Sequence, residues 1–259
     1  RCAICGAEGA FVLKAQDTGE ICMETSTKTE MTDIAAIVDR VEAWHARMRT
    51  LARDPARPPE ILAVTKTIPL EWIAALPPAL ICGLGENRVQ EILEKFQNYT
   101  PLSPIHLIGR LQTNKVKYII DKVCMIQSLD RADLAQEIDR RAQRAGLRMP
   151  VLLQVNVGRE PQKGGMPPEE VIPFSHRYAA LPGIRIAGLM TVMPVSQEPV
   201  QLRPLFIQMR ELFCKLQQEA IAGVDMRHLS MGMSGDAEIA AQEGATMVRL
   251  GSALFGPRA

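Results

Sequence analysis

Aromatic residues are scarce: two Trp, three Tyr and six Phe make up 4% of 259 residues. A core must therefore be packed from Ile, Leu, Val, Ala and Met. Histidine is scarcer, with four residues, so a histidine-built metal site has little support. Neither sign of charge dominates: 30 Lys+Arg face 29 Asp+Glu, for a net charge of +1. A protein that lives on nucleic acid carries a basic excess, so that partner is not expected. No apolar run reaches the ~20 residues that cross a bilayer, and no membrane partner is expected either. The N-terminus lacks a basic region followed by an apolar core, so no secretory signal is read. What remains, 47% hydrophobic and 23% charged, excludes disorder, collagen and coiled coil and leaves an ordinary soluble domain.

The six cysteines are Cys2, Cys5, Cys22, Cys82, Cys124 and Cys214. The last three lie far apart in apolar segments and read as buried reduced thiols. Cys2 and Cys5 form a CxxC, but a zinc site needs a second ligand pair. Only Cys22 is near, without a histidine, so no metal is expected. The expected compartment is the cytoplasm. Residues 1–30 show neither helical nor strand periodicity and are read as an N-terminal tail. From Met31 a helix is expected, with Ile34, Ile37, Val38, Val41 and Trp44 at helical spacing, so the working domain is placed at 31–259.

From residue 61 onward the chain alternates. Apolar runs at 61–65, 80–84, 105–108, 123–127, 151–157, 184–190, 227–230 and 247–250 predict eight strands. Continuous rather than alternating hydrophobicity marks strands covered on both faces, hence a parallel sheet. Helix-period segments at 89–96, 116–120, 132–145, 169–180, 205–220 and 237–242 lie between them. Strand starts fall roughly 27 residues apart, near the length of a βα unit. Eight units imply an α/β fold of the single (β/α)8 TIM-barrel type. A doubly wound sheet would carry a glycine-rich first turn, and the first turn here is TKTIP.

A barrel places its chemistry just past the C-terminal ends of its strands. Three groups there stand out. Lys66 follows the run ILAVT; partial desolvation at a barrel mouth favours the neutral amine that attacks aldehydes. The alternative is a snorkelling or ion-paired lysine. At the other end of the chain, Gly251 and Ser252 follow the eighth run and Ser234 follows the seventh. Glycine allows backbone N–H groups to approach an anion, and barrels often seat phosphate in these last two loops. The third group, HLIGRLQTNK, reads as a strand, a glycine turn and a basic helix start, with His106 an interior histidine. An aldehyde-seeking lysine facing a phosphate cradle suggests pyridoxal 5′-phosphate (PLP). Arg249, two residues before Gly251, shares its side-chain direction and is placed to meet the cofactor's ring nitrogen.

The blocks LAVTK, GENRVQE, HLIGRLQTNK, QVNVG, GLMTVMP, LSMGMSGD and VRLGSALFG, in this order over about residues 31–258, resemble the PLP homeostasis proteins, the family related to the N-terminal barrel domain of alanine racemase. The resemblance implies a single barrel that binds PLP as a Schiff base on Lys66. It also implies a pocket including Asn87, Asn156, Met190, Ser234, Arg249, Gly251 and Ser252. Leu84 stands where an aromatic is usual, and Thr65 where serine is common; neither removes a polar group that PLP needs.

Racemases of this fold use a second acid/base, a tyrosine from an added β domain. This sequence stops at Ala259, directly after the barrel, and Tyr99, Tyr118 and Tyr178 fall in or beside predicted helices. Arg249 is a donor only and favours an unprotonated ring nitrogen, a poor electron sink. The expected function is therefore a monomeric, non-enzymatic PLP carrier that takes part in PLP homeostasis and supplies apo-enzymes. The alternatives are a weak racemase-type enzyme and a lysine-dependent aldolase-like barrel without PLP.

Overall fold

The structure is a computed structural model describing residues 28–194 and 198–256. The expected barrel is what the chain forms. Strands β1 (Glu60–Val64), β2 (Gly83–Glu86), β3 (Ile105–Leu107), β4 (Met125–Leu129), β5 (Met149–Val155), β6 (Ile184–Thr191), β7 (Val224–Met233) and β8 (Met247–Leu250) pair in chain order. Every pairing is parallel, and β8 pairs with β1 to close the ring. The helices are α1 (Lys28–Leu51), α2 (Leu70–Ala74), α3 (Val89–Lys95), α4 (Ala132–Arg144), α5 (Val171–Tyr178), α6 (Arg203–Gln218), α7 (Ala237–Gln242) and α8 (Ser252–Phe255).

The strands are apolar on both sides because each side meets a different core. Ile61, Ala63, Val248 and Leu250 belong to the large outer core shared with the helices. Their neighbours Leu62 and Met247 form a separate layer with Cys82, which Ile108 packs against. A second inner layer joins Met125, Leu152, Ala187 and Met190. Alternation thus assigns neighbouring strand residues to two different apolar environments, with the parity switching at the irregularities of β4 and β6.

The helix α8 has only four residues, too few to cover the β8–β1 seam. The first helix does so instead. It packs on α7, α8 and β1, burying Ile37, Val41 and Met48, and Arg40 Nε donates to the carbonyl of Leu254 at 2.6 Å. It begins at Lys28, three residues before the expected start. Residues 1–27, with most of the tail read at 1–30 and with Cys2, Cys5 and Cys22, lie outside the described residues.

Several expected elements differ in detail; the strand expected at 227–230, for one, runs at Val224–Met233. The helix expected at 116–120 is a 3-10 turn at Thr113–Tyr118. Thr113, Asn114 and Val116 are poor helix formers, and bonds such as Ile119 N–H to Val116 O close three-residue spans. The strand expected at 80–84 begins at Gly83, because Leu80 N–H closes a turn onto Pro77 O. The strand expected at 123–127 runs at Met125–Leu129; its buried Gln127 and Ser128 do not end it, as polar residues in an apolar run suggest.

Closure makes one contact unusually tight. Gly188 in β6 has φ +147°, and a Cβ there would stand 1.8 Å from the carbonyl oxygen of His228. Gly188→Ala is expected to lower unfolding free energy by about 3 kcal/mol, the upper end of overpacking costs. Urea denaturation checks this, and an unchanged midpoint would contradict it.

Candidate functional site

Strand closure decides which residues meet at the C-terminal mouth. In the β1–β8 register Leu62 lies opposite Arg249 and Ala63 opposite Leu250. Lys66, past the end of β1, and Gly251, past the end of β8, therefore stand at the same end of neighbouring strands. On the other side Val64 pairs with Gly85, which brings Asn87 alongside. Ser234, past β7, completes a contiguous arc of four strand ends.

Lys66 is half-buried, and among the described residues its amine has no ion-pair or hydrogen-bond partner. The backbone around it is held firmly. Thr65 Oγ1 donates to Glu86 Oε1 at 2.7 Å. Lys95 Nζ donates to Thr65 O at 2.5 Å and to Glu86 Oε1 at 3.1 Å, and it pairs with Glu91 at 2.7 Å. The Thr67 N–H donates to Glu91 Oε1, holding Thr67 at φ +61°. Both neighbours of Lys66 are thus tied to α3 and the end of β2. Burial pushes the Glu86 carboxyl up. Burial also acts upward on Glu91, but Lys95, the Thr67 N–H and Arg88 outweigh it and hold Glu91 below its ordinary value. These clamp residues were missed in the sequence; the only available signal was the i,i+4 spacing of Glu91 and Lys95.

At the opposite side of the arc, Ser234 Oγ accepts hydrogen bonds from the N–H groups of Gly251 at 3.2 Å and Ala253 at 3.1 Å. Its proton is left for an acceptor. Both backbone donors are taken up by Ser234 Oγ, so what this corner offers an anion is the Ser234 hydroxyl proton beside the start of α8. Ser252 stands exposed beside them.

Arg249 is buried. Its Nη1 donates to Ser230 Oγ at 2.8 Å and its Nη2 to the carbonyl of Thr191 at 2.6 Å. Burial lowers its pKa to about 10, with Asp236 acting upward, so it stays cationic at neutral pH. Because guanidinium only donates, it sets the direction of everything beyond it. Ser230 Oγ accepts from Arg249 and donates to Gln127 Oε1 at 2.8 Å. The Gln127 amide then donates to His106 Nδ1 at 2.9 Å. His106 is thereby an acceptor at Nδ1, and its Nε2 has no partner. Burial, then His228, pull its pKa down to about 3. His106 is the interior histidine expected, though only one of its nitrogens is satisfied.

Two expected site residues sit differently. Met190 is fully buried within the inner apolar layer. Asn156 closes its own loop: its Nδ2 donates to Glu160 O at 2.8 Å, and the Glu160 N–H donates to its Oδ1 at 3.1 Å. The tyrosines lie outside the strands, Tyr118 and Tyr178 on helical segments and Tyr99 in the loop after α3. Tyr99 stacks on Phe96 and Tyr178 packs on Phe174, while Tyr118 lies under Lys115 and Lys117. Among the described residues no group of three or more His, Cys, Asp or Glu could hold a metal.

Fold and mouth together define a class: a closed parallel β/α barrel presenting one unpaired lysine beside an anion cradle. The model of the alanine racemase N-terminal domain family matches residues 39–259. The pyridoxal phosphate homeostasis protein of Aquifex aeolicus is 47% identical over 203 residues, 77% of this chain and 87% of that protein. The crystal structure of an unknown protein from Bifidobacterium adolescentis matches with TM-score 0.80 and 32% identity, covering 90% of this chain and 98% of that one. PipY from Synechococcus elongatus PCC7942, solved with PLP bound, matches with TM-score 0.73 and 31% identity, covering 85% and 100%. The chain belongs to the pyridoxal phosphate homeostasis protein family, whose barrel is the alanine racemase N-terminal domain.

The interior chain makes stability depend on pH. His106 is held near 3 when folded and titrates near 6.5 when unfolded. Between those values the unfolded chain binds more protons, so stability is full above about pH 6.5 and is lost as pH falls toward 3. Urea denaturation between about pH 4.5 and 6.5 should show wild type losing more than His106→Asn as pH falls, by a slope that rises to about 1.4 kcal/mol per pH unit at the acid end. Parallel pH profiles would contradict this.

Proposed function

We propose that the protein is a PLP carrier: it holds the cofactor on Lys66 and gives it up to PLP-dependent enzymes, contributing to PLP homeostasis without robust turnover. The observation that carries this reading is the side-by-side placement of an unpartnered lysine and an anion cradle by the β1–β8 seam.

The residues present fit the cofactor. When bound, PLP supplies an aldehyde that condenses reversibly with an amine. Lys66 provides that amine from a turn anchored on both sides. The hydroxyl of Ser234 would hold the phosphate, and the N–H groups of Gly251 and Ala253, which donate to Ser234 Oγ here, would have to turn from it to join, with Ser252 at the rim. Two of the five N–H bonds of Arg249 fix its guanidinium to Ser230 and Thr191, and one of the remaining three would donate to the ring nitrogen. Asn87 borders the mouth beside Lys66. Asn156 shapes the neighbouring loop, and Met190 supports the pocket from below.

The same residues argue against turnover. Arg249 stays protonated and donates, so it does not give the ring nitrogen the proton that makes the ring a strong electron sink. No tyrosine among the described residues is at the mouth to move a proton opposite Lys66. We read the carrier as a monomer. A carrier serving apo-enzymes works in the cytoplasm with them.

Absorbance titration with PLP tests the roles. Lys66→Ala is expected to lose the visible band while keeping weak, phosphate-driven binding. Ser234→Ala is expected to keep the band and weaken binding by about 1.5–3 kcal/mol, the value of a hydrogen bond to a charged group. A visible band persisting in Lys66→Ala would refute the lysine's role, and unchanged affinity in Ser234→Ala would displace the cradle.

A further inference from the structure

A cleft of about 800 Å³ opens at the rim next to the site, between the segments that follow β2 and β3. Its lining includes Asn87, Arg88, Arg110, Gln112, Asn114 and Lys115, and no aspartate or glutamate. The cleft shares Asn87 with the arc described above but not Lys66, so it lies beside the cofactor mouth rather than within it.

Its charge is local and uncompensated. The whole chain carries only +1, and several arginines elsewhere are paired: Arg140 and Arg141 with Glu137, Arg159 with Glu169, Arg203 and Arg210 with Glu243. Arg88 and Arg110 are exposed and make no ion pair or side-chain hydrogen bond among the described residues. Arg88 acts on Glu91 only through its field. Lys115 has only the ring of Tyr118 nearby, 5.7 Å from its amine. Arg131, also on the lining, is already committed to Asp130 and Asp133.

We propose that this cleft docks an acidic polypeptide segment of the enzyme that receives PLP. The proposal rests on the carrier reading above. Three features select the occupant. Arginine forks match carboxylates bidentately. The apolar lining residue Leu111 and the helix residue Val89 are buried beneath the polar groups, so the surface recognises charge and hydrogen bonds rather than an apolar anchor. No aromatic lines the cleft, which leaves no platform for stacking nucleic-acid bases. An open cleft of this volume exceeds what one phosphate fills and suits a short chain segment. Opposite charges there would steer an acceptor onto the rim through which the cofactor must leave.

The test uses the PLP-loaded full chain and a fluorescein-labelled decaglutamate peptide, read by anisotropy at low and at physiological salt. Wild type should bind, more weakly at higher salt. Arg88→Glu/Arg110→Glu should bind at least tenfold more weakly while loading PLP to the wild-type level, which also reports its folding. Lys117→Glu/Lys122→Glu, with the same change in net charge outside the cleft lining, should bind within twofold of wild type. Equal weakening in both variants, no binding by wild type, or tighter binding of an oligouridine decamer would overturn the docking site. Wild-type protein that never takes up PLP would instead overturn the carrier reading and leave the peptide result standing on its own.

Discussion

The β1–β8 seam is the constraint on which the rest depends. These strands lie at opposite ends of the folded domain's sequence, and parallel closure sets them in register with Leu62 against Arg249. That single alignment brings Lys66 alongside Gly251, although 185 positions separate them in the chain. A one-residue slip would turn either Lys66 or Arg249 away from the interior. The seam is accordingly reinforced from outside by α1, which covers what the four-residue α8 cannot.

Two polar networks then divide the work around the mouth. One lies outside the strands and holds the lysine's turn: Thr65, Glu86, Glu91 and Lys95 secure both neighbours of Lys66 and leave its amine unpaired. The other runs through the interior from Arg249 by Ser230 and Gln127 to His106. Because its first member can only donate, the hydrogen-bond direction is fixed throughout. A buried cation is costly unless its donors are satisfied; Ser230 and Thr191 take two of the five N–H bonds of Arg249 and orient it. Reactivity at one end and a fixed positive donor at the other come from separate structures, each rigid by itself.

Much of this was legible in the sequence, for identifiable reasons. Strands buried on both faces produce continuous apolar runs, so eight parallel strands could be counted. Chemistry at strand ends follows from the topology of a barrel, so Lys66, Ser234 and Gly251 stood out as polar or glycine positions after those runs. The interior network did not stand out. Gln127 and Ser230 look like strand ends when read locally, and they are satisfied only by partners brought in from other strands. The clamp was hidden in the same way, since nothing local says that Glu86 is buried. Asn156 is expected at the site from its place at the end of the fifth run and from the family resemblance; in the structure its amide closes its own loop. The turn at Thr113–Tyr118 carries helix-like spacing, but its backbone makes the tighter hydrogen bonds of a 3-10 helix.

The central claim is that one particular amine carries the cofactor. Borohydride reduction of the PLP-loaded protein, followed by peptide mass mapping, addresses it directly. The account predicts a single phosphopyridoxyl adduct on the peptide containing Lys66. An adduct on another lysine, or none in a protein saturated with PLP, would contradict it.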